Sequence, residues 1–133
     1  MNLTLLQKIR ERPGLYLGKK SLEYFSLFKA GYEFRTALEV REKVWKEATG
    51  RDFYKNYDEA MSANIYPKTQ SQDIFAGFNE FVYSYYNCEL WSLNAEGVIS
   101  KYSNSDEEAF DKFFELLDEF LVQKGEKINL GTS

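Results

Sequence analysis

The densest set of chemically capable side chains lies near the end of the chain. Glu107, Glu108, Asp111, Glu115, Asp118 and Glu119 all fall between positions 107 and 119. Carboxylates serve as acid–base pairs or metal ligands when they converge from several elements. Here they share one helical segment. Glu107–Asp111, Asp111–Glu115 and Glu115–Glu119 are like-charge pairs at i, i+4, each unfavourable by about 0.2–0.5 kcal/mol. The helix dipole relieves the N-terminal acids and does nothing for Asp118 and Glu119. This face therefore calls for cations or full solvation. Within the chain the cations are Lys8, Arg10, Arg12, Lys19 and Lys20; otherwise they belong to a partner. Asp111, Glu115, Asp118, Arg12 and Tyr16 are the candidate interaction residues.

A second cluster is Gly18-Lys19-Lys20-Ser21. It sets two cations at the start of a helical pattern, where backbone N–H groups are free to hold an anion such as phosphate. Lys19, Lys20 and Ser21 are the candidate anion-binding residues. The competing reading is an ordinary lysine pair before a helix.

The chain has no histidine and one cysteine, Cys88. A Cys–His nucleophile is therefore excluded, as are Cys₂His₂ and Cys₄ zinc sites. Di-iron bundles that use Glu-x-x-His are excluded too. Catalytic residues stay unassigned, and no cofactor or metal is expected. A lone cysteine fits a reducing compartment and more often packs as a small hydrophobe than reacts.

The elements that must position these groups read as helices. Leu3, Leu6 and Ile9 mark a short one. Pro13 should stop it, with Arg12-Pro13-Gly14 forming a type II turn and Leu15–Leu17 an extended piece. From Ser21, the expected N-cap, Leu22, Phe25, Phe28, Tyr32 and Leu38 lie near one face of a long helix. It reaches about Ala48, with Gly50 as its stop. Gly31 inside it costs about 1 kcal/mol relative to Ala unless another backbone approaches there. Phe53, Tyr54, Tyr57, Ala60 and Met61 keep helical spacing, and 64–70 reads as a loop around Pro67. Ile74, Phe78, Phe81, Val82 and Tyr85 form a stripe for a helix from Ser71 or Asp73 to about Asn87. Positions 91–102 are ambiguous, because Gly97 weakens the turn suggested by Leu93, Val98 and Ile99. Ser105 and Glu108 make a capping box. Phe110, Phe113, Phe114, Leu117, Phe120 and Leu121 continue the stripe to Gly125. Lys127–Ser133 reads as a loose tail.

The expected fold is all-α: a compact single-domain bundle of about five helices over 1–133. Phe78, Phe81, Phe113, Phe114 and Leu117 are its expected core. Aromatic residues make up 17% of the chain, enough to fill such a core and also to furnish a contact surface. Charge is uneven. Residues 1–51 hold 11 Lys/Arg against 6 Asp/Glu, and residues 52–133 hold 6 against 15. A net charge of −4 disfavours nucleic acid as a partner, and the two halves can complement each other. No apolar run is long enough to span a bilayer, and the N-terminus has no signal-peptide core, so cytoplasmic location without membrane contact is expected.

The heptad Arg12-Pro13-Gly14-Leu15-Tyr16-Leu17-Gly18 resembles a segment near the start of the ATP-binding subunit of bacterial type II topoisomerases. That resemblance implies a nucleotide site, which in that family also needs an acidic–Asn ligand helix and an Asp-x-Gly-x-Gly loop. Neither follows here, so no ATP site is carried over. The opening Ile9-Arg10-x-Arg12-Pro13-Gly14 and the phenylalanine-rich close together resemble small uncharacterised bacterial proteins, which implies no activity. The expected role is protein–protein contact, of an immunity- or antitoxin-like kind, with an unknown protein or the chain itself as partner. The alternative is a small-molecule binder or enzyme using carboxylates and tyrosines.

Overall fold

The computed structural model describes residues 1–65, 73–88 and 92–125. Among them are seven α-helices and no strand: α1 (Leu3–Glu11), α2 (Pro13–Leu17), α3 (Leu22–Thr49), α4 (Tyr57–Ser62), α5 (Phe78–Tyr86), α6 (Ala95–Lys101) and α7 (Asp106–Gln123). The all-α expectation holds, with seven helices in place of about five. The expected loop around Pro67, the helix start at Ser71, Trp91 and the tail from Lys127 lie outside the described residues.

Two compact units form, one from residues 1–29 and 73–133, the other from residues 30–72. The core of the first is aromatic. Phe113 and Phe114 are fully buried on α7, and Phe25 of α3 lies 5.0 Å and 5.5 Å from their ring centroids. Phe78 of α5 meets Phe113 and Phe120, each at 5.4 Å. Tilted and edge-on contacts of this kind add about 0.5–1.5 kcal/mol per pair beyond burial. Leu6 and Ile9 of α1 and Val98 and Ile99 of α6 complete the core, all at 0% exposure. Phe81 packs against it half-buried, and the other four expected core residues lie in its centre.

Helix ends follow local chemistry. The Ser105 hydroxyl accepts from the Glu108 N–H at 3.0 Å, while the Glu108 carboxylate reaches back to the Asn104 N–H at 3.3 Å. Gly125 and Gly50 take left-handed conformations after α7 and α3. Asn94 caps α6 through the Gly97 N–H at 2.9 Å, and this stabilises the helix that Gly97 made ambiguous. The start of α5 corrects the expectation of Asp73. Asp73 instead folds back on itself, its carboxylate accepting from the Phe75 N–H at 3.0 Å. Gly77 then sits at φ +88°, so regular helix begins only at Phe78.

The second unit is built on Trp45, Phe53 and Ala60. Arg41 donates to the carbonyls of Met61 at 2.8 Å and Ala63 at 2.7 Å, and so satisfies the exposed end of α4. Its Nε also reaches the Ala60 carbonyl at 3.3 Å. Arg51 pairs with Glu59 at 2.8 Å and lies over the Trp45 ring.

Candidate functional site

The connector differs from its expected form. Pro13 is the first residue of α2 and not the corner of a type II turn. Gly14 keeps a negative φ, and Leu15–Leu17 is helical, not extended. The physical reason is that proline's fixed φ and missing N–H suit the first helical position as well as a turn. Arg12, at φ −134°, ends α1 and opens α2, and Gly18 at φ +90° closes it. Arg12 is exposed and makes no ion pair among the described residues.

The one-turn helix presents side chains that an extended strand would split between two faces. Tyr16 and Leu17 line an open depression of about 220 Å³ with Tyr24, Leu27 and Phe28 of α3. Leu27 is 68% exposed, and Leu15 beside Tyr16 is 70% exposed. Lys19 lies over the Tyr24 ring at 4.6 Å, a cation held against this apolar surface.

On α7, two of the three candidate acids meet the cations named from the sequence. Lys20 reaches Asp111 at 2.6 Å, and Arg10 reaches Asp118 at 2.7 Å. The Arg10–Asp118 pair is largely shielded from water, whereas Asp111 is exposed. Arg10 also lies over the Phe114 ring, 5.5 Å from its centroid. Glu115 joins neither contact. It faces Lys112 of its own helix at 3.6 Å and is 59% exposed.

The candidate anion position already holds an anion supplied by the chain. Ser21 is fully buried, and its hydroxyl donates to a carboxylate oxygen of Asp106. The other Asp106 oxygen accepts from the Glu23 N–H at 3.0 Å. The Ser21 oxygen in turn accepts from the Tyr24 N–H at 3.0 Å, the N-cap bond expected of it. Burial pushes the Asp106 carboxyl up; the Ser21 hydroxyl, the N–H groups of Glu23 and Leu22 and the nearby Lys19 outweigh it and hold the group below its ordinary value. Ser21 and the start of α3 thus bind a carboxylate, while Lys20 is turned to Asp111.

A second surface feature was not anticipated. An open groove of about 650 Å³ runs between α5 and α7, with Phe81 and Phe120 at its floor and Glu80 and Glu119 among its walls. Nearby, Tyr86 and Tyr102 stack 4.8 Å apart, and burial pushes the Tyr86 hydroxyl pKa up. Lys112 sits over Tyr85, and a hydrogen bond to that hydroxyl raises the lysine pKa. The sequence flagged Glu119 as part of an acidic run, but nothing in local spacing joined it to Glu80.

Among the described residues, no cluster of three or more His, Cys, Asp or Glu side chains is arranged to hold a metal ion. Cys88 is half-buried against the aromatic core. No described helix is long and apolar enough to cross a membrane. Comparison of the chain with protein families, curated proteins and solved structures finds no match.

Proposed function

We propose that this chain is a protein-binding domain that engages its partner through the α2–α3 surface. The observation that carries the reading is the exposure of Leu27 in a depression lined by Tyr16, Leu17, Tyr24 and Phe28, with exposed Leu15 next to Tyr16 in α2. Large apolar side chains grouped in an open depression, with polar groups at the margin, are the usual anatomy of a contact surface. Tyrosine suits such a place because its ring excludes water while its hydroxyl stays wet.

The charge layout supports a protein over a nucleic acid. Arg10 and Lys20 are engaged by Asp118 and Asp111, so the basic first third is partly neutralised from within. An inhibitor of the immunity or antitoxin type is a role that needs only such a surface, and the cytoplasm is the compartment that a lone thiol suits. Leu27→Glu tests the reading. Because Leu27 is exposed, the variant should fold as the wild type does while losing a saturable protein partner. Sedimentation velocity over a concentration series separates a second copy from a different protein. Unchanged association in both assays would refute the assignment.

A further inference from the structure

The groove between α5 and α7 is built from other elements than the α2–α3 surface and carries different chemistry. Its floor is apolar: the Phe81 and Phe120 rings lie 5.5 Å apart. Gly77 borders the floor at φ +88°, and a Cβ there would stand in ordinary contact with the Phe120 ring at 3.7 Å. The walls are acidic, with Glu80 from α5 and Glu119 from α7. Both are exposed, and neither has an ion pair or hydrogen bond among the described residues. This sets them apart from Asp106, Asp111 and Asp118, each answered from within the chain. Lys124 also lines the groove; it lies over the Phe120 ring at 5.0 Å, donates to the Ala76 carbonyl at 3.4 Å and, among the described residues, forms no ion pair with either glutamate.

We propose that this groove seats a cationic amphipathic helix of a partner protein. Apolar side chains of the partner at i, i+3 or i+4 would cover Phe81 and Phe120, and Lys or Arg beside them would meet Glu80 and Glu119. Helix-in-groove recognition uses this division of labour. The charges select the occupant. A second copy presenting the same groove would set Glu against Glu, and like charges across an interface oppose pairing. An acidic segment or a phosphate backbone is repelled in the same way. Gly77, just before α5, and Phe81 and Ser84 within it span about 10–12 Å, so a partner helix of two to three turns fills the site.

The test uses the full chain and two fluorescent 14-residue peptides of identical Leu pattern, one with Lys and one with Glu at every polar position. Amide chemical-shift mapping accompanies the titrations. The Leu/Lys peptide should saturate and move the signals of Gly77, Phe81, Tyr85 and Phe120, while the Leu/Glu peptide should not bind. Glu80→Lys with Glu119→Lys should weaken the Leu/Lys peptide at least tenfold. A control of equal charge change, Asp58→Lys with Glu107→Lys, should weaken it less than twofold. Tyr85→Ala should weaken it at high salt as well, which separates a seated helix from diffuse attraction. Equal loss in the control, binding of the Leu/Glu peptide, or shifts that map elsewhere would overturn the proposal. So would groove signals in the free chain that respond to Ile128→Asp with Leu130→Asp, because the chain's own terminal segment would then be the occupant. Dependence of those signals on protein concentration would name a second copy and overturn it equally.

Discussion

Asp106 and Ser21, 85 positions apart, share one hydrogen bond that ties the first turn of α7 to the start of α3. Each residue also works locally. Ser21 caps α3 through the Tyr24 N–H, and Asp106 adds the Glu23 N–H at 3.0 Å. One carboxylate therefore offsets the positive ends of two helices, its own and that of α3.

Asp106→Asn is expected to lower stability at neutral pH by about 1.5–3 kcal/mol, the range for hydrogen bonds to a charged group. The folded-state pKa lies below the ordinary 3.8, so the stabilisation is complete above that value and is lost as pH falls through the folded pKa. Denaturant melts of both proteins at pH 7 and near pH 3 check this. The gap should narrow in acid, and a gap that widens would contradict the assignment.

Asp118 and Glu115 should behave differently although both belong to one acidic face. Asp118→Ala removes the shielded partner of Arg10 and should cost about 1–2 kcal/mol. Glu115→Lys replaces an exposed side chain and should change stability by no more than about 0.5 kcal/mol. Equal losses in urea melts would mean that the face acts as a diffuse field.

Phe114→Ala should cost about 3–5 kcal/mol, from lost burial and the cavity left among Phe25, Phe110 and Phe113. A loss under about 1 kcal/mol would show that the core collapses around the gap.

Gly31→Ala should raise stability by about 0.5–1 kcal/mol. Gly31 lies in the unbroken α3 with nothing within 4 Å of the position a Cβ would take. Thermal melts read the sign directly, and a lower melting temperature would reveal an unseen close approach.

Much of α3 and α7 was legible because several signals agreed there. The stripe of Phe110, Phe113, Phe114 and Leu117, the Ser105–Glu108 cap and the stop at Gly125 all specify one helix. Competing signals hid α2, since Pro13 and Gly14 satisfy the rules for a turn and for a helix start alike. The start of α5 was misplaced because the stripe from Ile74 continues through Gly77, and a left-handed glycine interrupts a helix without disturbing side-chain spacing. The acidic face could be read as needing cations, and Arg10 and Lys20 were among those named. Their pairing with Asp118 and Asp111 depends on how α1 and α3 lie along α7, which no local spacing encodes. For the same reason no local signal marks Asp106 as the partner of Ser21, or joins Glu80 and Glu119 in one groove.

The central claim is that the α2–α3 surface is where this chain meets a protein partner. A photo-cross-linking amino acid at position 27, with position 107 as the exposed control, tests it most directly. The predicted result is one predominant adduct at position 27, lost when Leu15→Glu is added and recovered with the purified partner at a fixed stoichiometry. Adducts of equal yield and identity at both positions, or none at position 27, would contradict it.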